Sequence, residues 1–534
     1  MFRKNTPNPQ QYLFNTTDAM NPRLKKQLES SWAQIYFQNV FCKINEDTFA
    51  PLYAETGRPN FPVNVLLSLE FIKHLKNFSD EELLEQYSYN YQIAYAVGQR
   101  TLGELYLAPR TLYEFRNRIH QHLRENPDDD IIFAQFQELT RHFIKMAKLD
   151  TKEQRMDSTD ITPNIRQATR LSLAVDVLVQ AVEALPTALL NEKLRFMKAP
   201  DFSVQVLYKT KSQDTRQKLI DLFDIANEIL SMDNVQGLPE IKILERFINE
   251  QTKLDENGHR ILRENSEIHA DGLQSAYETD ATFRDKHSKS WSGYTLNLSE
   301  TCSKENEIQI ITDYALEKNI HNDVDFIPER LSEIKELTEI TDLYTDGGYY
   351  SNTNKGTTIE SGVALHVTDM TGRKQNPNKL PVSDFHIEEN LIKQCPQGNS
   401  PIRSTFKSGV YSAHFSKGDC EGCPLRTQCP VKHQKQTYVL RVTQKSVIAS
   451  NTRKELSDPE QRKLMISKRA GIEGTNSALK RGENAAKLRV RGEAKCRIVI
   501  GLKVIARNVK QFSRMMMTKI KPKIQGRNLA ICPG

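Results

Sequence analysis

Apolar positions in the first 148 residues recur at the three- and four-residue spacing of amphipathic helices. In VNVLLSLEFIKHLKNFS, the positions Val65, Leu66, Leu69, Ile72, Leu75 and Phe78 form one stripe, and Pro62 just before them predicts a helix start. Ser79 and Glu82 have the spacing of a capping box, which opens a second helix, DEELLEQYSYNYQIAYAV, for Gly98 to close. A third helix is predicted after Pro109, with Leu112, Phe115, Ile119 and Leu123 on one face and Arg116, Arg118 and His120 off it. This compact helical unit reads equally well as plain scaffold and as a helix-turn-helix variant that reads DNA. After the breaker PDDD at 127–130, a further helix runs to Lys148.

Beyond residue 148 the period changes. QRMDSTDI is a short β-like segment carrying Asp157, and residues 171–255 return to helical periodicity with a break at Pro186. From about residue 291 the pattern is strand, strand, helix, strand, strand: WSGYTLNLSE, NEIQIITDYAL, IPERLSEIKELTEI, DLYTDGGYYS and SGVALHVTDM. The expectation is a multidomain α/β protein. It has a helical N-terminal domain at 1–148, a mixed-sheet core at 149–370 with a helical insertion at about 171–255, a loop-rich cysteine-bearing insertion at 371–456, and a basic helical segment at 457–534.

Composition narrows the classes of function. The apolar run Ile498–Ile505 is broken at Lys503 and falls far short of the ~20 residues of a spanning helix, so no membrane segment is expected. The start, MFRKNTPNPQQYLF, has no apolar stretch behind its charge, so the chain is expected in the bacterial cytoplasm with its eight cysteines reduced. The formal charge of +7 hides an asymmetry. Residues 461–534 hold nineteen Lys or Arg against Glu473, Glu483 and Glu493, a local balance of +16, which leaves −9 for the other 460 residues. Such segregation is an electrostatic footprint for a polyanion, with nucleic acid the leading partner.

Three acidic residues stand out by context. Asp157 lies inside a short strand, Asp346 ends a strand at the turn DGG, and Glu473 lies in the helical run RAGIEGTNSALKRG. Carboxylates at strand ends converge at one edge of an open α/β sheet, and a helix across that edge can supply a third. Together they would hold Mg²⁺, an oxygen-seeking ion that keeps waters for substrate phosphates.

The string SKRAGIEGTNSALKRG, followed by LRVRGEAKCRIVIGLKVIARNVKQF, resembles the C-terminal signature of bacterial insertion-sequence DDE transposases, the branch with a Y-x2-R-x3-E-x6-K motif. Arg469, Glu473 and Lys480 fall at those offsets, and Ile466 stands in the Tyr position. RMDSTDI resembles the first-Asp strand of that family and LYTDGGYYS the second-Asp segment. The implied catalytic and metal-binding triad is Asp157, Asp346 and Glu473, at intervals of 189 and 127 residues. YAETGRPNFPVNVLLSLEFIKHLKNFSDEELLEQYSYN is similar to the helical domain upstream of such cores. The resemblance implies a ribonuclease-H-like core, two Mg²⁺ ions (Mn²⁺ as substitute), and cleavage and joining of DNA at terminal inverted repeats, carried out by a homodimer on the DNA complex. Arg469 and Lys480 share roughly the face of Glu473 and suit phosphate binding, with ion pairing to nearby acids as the alternative. Arg481, Arg489 and Arg491 complete the expected DNA-binding set. Two other functions stay open: a DNA-binding repressor without catalysis, and a metal-dependent nuclease without strand transfer.

Cys420, Cys423 and Cys429 give C-x2-C-x5-C, and Cys395 is a candidate fourth ligand for a structural Zn²⁺, in competition with His414 and His433. A metal staple has a physical purpose in an insertion with little apolar core. Cys42, Cys302, Cys496 and Cys532 are scattered and read as buried or incidental. Asp280, Arg284, Lys286, His287 and Lys289 form a basic approach to the strand at Gly293, Asp160 lies three residues after Asp157, and His321 and His366 read as ordinary histidines.

Overall fold

The structure is a computed structural model that describes residues 1–5, 15–257, 259–286, 289–370 and 375–525. It is mixed helix and sheet. The N-terminal helices begin where the sequence signals place them. Pro62 precedes α1 (Val63–Lys76), and Ser79 and Glu82 form a complete capping box on α2 (Asp80–Tyr89). The second predicted helix is in fact two. Asn90 adopts an extended conformation, and its side chain accepts from the Gln92 N–H to cap α3 (Tyr91–Ala96). Then follow α4 (Pro109–Glu125) and α5 (Ile131–Ala147), the latter capped by Asp130 from the PDDD breaker.

A mixed sheet forms the centre. β1 (Glu153–Ile161) is followed by α6 (Arg170–Ala184), α7 (Thr215–Leu230) and α8 (Pro239–Gln251), which with intervening short helices build a separate apolar core from Leu171 to Ala276. The chain then returns as β2 (Thr282–Lys286), β3 (Lys289–Thr301) and β4 (Ile311–Lys318), crosses through α9 (Asp323–Leu337) to β5 (Asp342–Thr345), and through α10 (Asn352–Glu360) to β6 (Ala364–Val367). The main path runs β4-β3-β1-β5-β6, with β2 as a hairpin on the first part of β3. β1–β3 and β3–β4 are antiparallel, and β1–β5 and β5–β6 are parallel. At Gly293 (φ +149°) a Cβ would collide with the Ile161 carbonyl oxygen, so glycine is required where β3 passes the end of β1.

Residues 375–456 differ from the loop-rich expectation. β7 (Arg403–Lys407), β8 (Val410–Ser416), β9 (Lys432–Gln434) and β10 (Thr437–Thr443) form a four-stranded antiparallel sheet in the order β7-β8-β10-β9. It has a small core of its own, including Phe385, Tyr411, Phe415 and Leu440. The strands are short and their outer faces polar, which weakens their periodicity in the sequence. Then come α11 (Gln444–Ser457), α12 (Pro459–Ser477), a π-helical turn at Ala478–Gly482, and α13 (Glu493–Gln525).

Two layers flank the central sheet. The N-terminal helices and α13 share one core with β3 and β4. Phe143 stacks on Phe512 at 4.5 Å, and Tyr314 of β4 meets Phe133 and Phe136 of α5 edge-on. Met156, which alternates with Asp157 on β1, points to the opposite face, where α9 supplies Phe326, Ile327 and Ile334. Among the described residues no helix is long and apolar enough to cross a membrane.

Candidate active site

The register of the central strands sets the site. β1 and β5 pair in parallel as Glu153–Asp342, Gln154–Leu343 and Arg155–Tyr344, an offset of 189 residues. Asp157 and Asp346 have the same offset and stand level, each two residues beyond the last of these pairs. They share the face of Arg155: Asp346 follows the last residue of β5, and Asp157 lies in the middle of β1, just beyond where its parallel pairing with β5 stops. The turn after β5 fixes Asp346. It caps the short helix Gly347–Tyr349, its carboxylate accepting from the Gly348 N–H at 2.8 Å.

Helix α12 brings Glu473 to that face. Asp458 caps its first turn and Pro459 occupies its start, where the missing N–H costs nothing. Its docking depends on Arg155, whose guanidinium donates to Glu300 of β3 at 2.7 and 2.9 Å and to the Lys468 carbonyl of α12 at 3.2 Å. Thr475 donates to the other Glu300 oxygen at 2.7 Å, and Lys468 pairs with Glu153. Gly471 makes this approach possible, because a Cβ there would overlap the Arg155 guanidinium. One glycine of the signature string thus has a packing reason.

Arg469 is the centre of the arrangement. Its two terminal nitrogens donate to Glu473 at 2.6 Å and to Asp157 at 3.1 Å, and Asn476 donates to the other Asp157 oxygen at 3.1 Å. Asp157 is 8% exposed, whereas the Glu473 side chain is 61% exposed. Burial pushes the Asp157 carboxyl up to about 6; Asp346 adds to the rise, and Arg469 and the Ser158 N–H oppose it. The structure therefore brings Asp157, Asp346, Glu473 and Arg469 together on one face of the sheet, beside the end of β5. Of the two readings of Arg469 and Lys480, the ion pair is what the structure displays, since Lys480 pairs with Asp160 at 2.8 Å. Lys480 does not extend α12; it lies with Arg481 in the π turn, a local widening frequent at functional sites.

Sequence reasoning missed Asp323. The first residue of α9, it is 8% exposed, accepts from the Ser158 hydroxyl at 2.7 Å, and lies beside the Gly348 turn. Its only signal is its place at a helix start in front of IPERLSEI. Buried Tyr349 donates to Asn297 of β3 at 2.7 Å and closes the floor under these carboxylates.

The donor set fits a hard divalent cation. All ligands offered are oxygens, Asp157 and Asp346 repel each other, and the buried Asn476 Oδ1 beside Asp157 has no hydrogen-bond partner. Arg469 supplies the positive charge between Asp157 and Glu473, and among the described residues no group of three or more His, Cys, Asp or Glu is drawn together around a metal position. The four cysteines behave similarly. Cys395, Cys420, Cys423 and Cys429 are reduced and line one small pocket, and burial together with the other three thiols pushes Cys420 up to about 11. His414 contacts Thr437 and His433 packs on Tyr438, away from that pocket.

The remaining expected residues divide. Arg481 and Arg489 are exposed and form no close ion pair among the described residues, while Arg491 donates to the Asn164 carbonyl and covers the Tyr277 ring. Arg116 pairs with Glu70 and Asp80, and Arg118 donates to the Leu52 carbonyl, so these arginines of α4 serve the scaffold. Arg284 donates to the Asn319 carbonyl, His321 pairs with Glu329 and His366 with Asp342. The side chains of Lys286, His287, Lys289 and Cys532 lie outside the described residues.

Residues 394–513 match the family described as Transposase DDE domain, and residues 35–118 match the family described as Transposase domain (DUF772). The first span contains Glu473 and all four clustered cysteines; the second contains α1 to α3 and most of α4. No curated protein and no solved structure matches the chain.

Proposed function

We propose that this chain, which its two family matches indicate to be an insertion-sequence DDE transposase, binds the terminal inverted repeats of its element, cleaves them and joins the ends to target DNA. Members of this family are nucleotidyl-transfer enzymes that act on DNA and generally use divalent metal ions. The observation that carries the finer reading is the level placement of Asp157 and Asp346 on adjacent parallel strands, with Glu473 laid across them on α12. The strand order and directions support a ribonuclease-H-like core, with the Leu171–Ala276 body as an insertion.

In this reading Asp157, Asp346 and Glu473 would hold two Mg²⁺ ions, whose chemistry would be to activate a nucleophilic oxygen and to neutralise charge on the leaving 3′ oxygen. The protein's own part is positioning and charge. Burial of Asp157 keeps the site dry on the sheet side, Asn476 and Ser158 fix its carboxylate, and Arg469, which bridges Asp157 and Glu473, would turn its two donors to a phosphate once cations took its place between the carboxylates. Two copies acting on paired ends would complete the reaction. The four clustered thiols would hold a structural Zn²⁺ that ties residues 395–429 to their small sheet.

The test is strand cleavage and joining on a labelled duplex carrying the element's end, with Mg²⁺ or Mn²⁺, comparing wild type with Asp346→Ala. Metal-dependent release of a 3′-OH and joining, lost in the variant while end binding survives, is the expected result. Binding without cleavage in wild type favours a repressor. Cleavage without joining favours a nuclease, and cleavage unaffected by the substitution removes Asp346 from the site.

A further inference from the structure

A cleft of about 390 Å³ lies between the N-terminal helices and the start of the basic C-terminal segment. Its walls come from the end of α1 and the start of α2, from α4, and from residues 484–503. Six Lys or Arg line it against Glu70 and Asp80, a balance of +4. The two acids are already used, since Arg116 pairs with both and Lys73 with Asp80. Lys487, Arg489 and Lys495 are exposed at the cleft and form no close ion pair among the described residues, Arg489 being felt by the Glu82 carboxylate only at longer range. Behind them Lys503, 7% exposed, donates to the Glu483 carbonyl at the end of the π turn. Phe78, Leu488 and Ile498 give the cleft an apolar wall. Excess cations over an apolar floor, at a size within the roughly 300–1,000 Å³ of ligand clefts, form a site for a phosphate ester with its attached sugar and base.

The cleft is tied to the carboxylates by backbone. Thr162, the residue after β1, pairs with Lys487, and its N–H and carbonyl bond Ala486 and Leu488. Asn77 at the end of α1 donates to the Gly482 carbonyl of the π turn at 2.7 Å. Five residue steps lead from Asp157 to Thr162, about 17 Å at ~3.3 Å each. Each base pair advances the duplex axis by about 3.4 Å, so for a duplex lying along β1 the cleft stands on the order of five base-pair steps from the reacting phosphate.

We propose that this cleft holds a backbone phosphate of the bound DNA at that distance, and that it joins the N-terminal helices and the basic C-terminal segment into one DNA-binding surface. The inference rests on the reading of DNA as substrate. Cation crowding supports it: burial, with Lys73 and Arg489 nearby, lowers Lys503 to about 8, and an anion in the cleft would relieve that repulsion.

The experiment uses the full chain, EDTA, and a fluorescent duplex of about 30 base pairs read by anisotropy across a salt series. Wild type is compared with the Lys487→Ala, Arg489→Ala, Lys495→Ala triple variant, and with a control triple variant, Lys407→Ala, Lys432→Ala, Lys435→Ala, of equal charge change on the small β-sheet. The cleft variant is expected to bind at least about tenfold more weakly at low salt, with a salt slope less steep by about two to three, while the control stays within about twofold of wild type. All three side chains are exposed, so unchanged melting temperature accompanies the loss. A cleft variant indistinguishable from wild type, or a control that weakens binding equally, overturns the proposal and leaves the catalytic reading standing. Wild type that binds no duplex overturns both. A rise in melting temperature with millimolar deoxyadenosine monophosphate, without any effect of the cleft variant on duplex binding, assigns the cleft to a free nucleotide and overturns it as a DNA site.

Discussion

Replacing Asp157 with Asn is expected to stabilise the metal-free protein while abolishing cleavage. The carboxyl sits at about 6, against 3.8 for an ordinary Asp, because burial and Asp346 penalise its charge by more than Arg469 and the Ser158 N–H compensate. A folded-state value above the unfolded one means that the folded protein binds more protons between the two. The group's contribution is then most favourable below about pH 4 and is lost as pH rises through 6. Two units correspond to about 3 kcal/mol, so the charged Asp157 costs roughly that much at pH 8 and little at pH 4. Asp157→Asn removes the charge and keeps the shape. Its melting temperature in EDTA should match wild type near pH 4 and exceed it by several degrees near pH 8, for the transition that contains the central sheet. Adding Mg²⁺ should raise wild type and leave the variant unmoved. A variant less stable than wild type at pH 8, or a difference that does not change with pH, would refute the argument that Asp157 is held charged against its environment.

Arg469→Gln acts in the opposite sense. It leaves Asp157 and Glu473 without the cation that bridges them and removes a longer-range attraction to Asp346, and should lower stability by about 1–3 kcal/mol near pH 8 and by less near pH 4, read in the same melts. Arg155→Ala leaves the nearly buried Glu300 without its partner and removes the bond to the Lys468 carbonyl; a loss of about 3 kcal/mol or more in urea unfolding is expected, and an unchanged midpoint would show that α12 does not dock through Arg155. For the thiols, elemental analysis of protein purified without chelator should find one zinc per chain, lost in Cys423→Ser together with thermal stability of the small β-sheet; a metal-free wild type would remove the staple.

The parts legible in the sequence were those whose signals are local. Ser79 with Glu82, Pro109 and Asp130 mark helix starts by contacts within one turn, and the structure uses each of them. Asn90 was not legible as a break, because YSYNYQIAY keeps its helical period on both sides and only the backbone of Asn90 leaves it. The four strands between 403 and 443 escaped because β9 is fully exposed and β7 half-buried, so that apolar alternation is strong only on β8 and β10.

The site divides along the same line. Arg469 and Glu473 are one helical turn apart, so their pairing follows from spacing alone. Asp323 reaches Ser158 across 165 residues of chain, and nothing local to it signals the contact. Asp157 and Asp346 are an intermediate case. Their 189-residue interval looks arbitrary in the sequence, yet it equals the register offset of β1 against β5, so any insertion between them is invisible to the site provided that it leaves and re-enters beyond the paired strands. The Leu171–Ala276 body does this, entering after Ile161 and returning before Thr282 with a core that shares no residue with the sheet's own. Lengthening or shortening a loop within that body should leave the level of the two carboxylates unchanged. A one-residue deletion between Asp342 and Asp346 should move one of them off the face of Arg155 and Glu473.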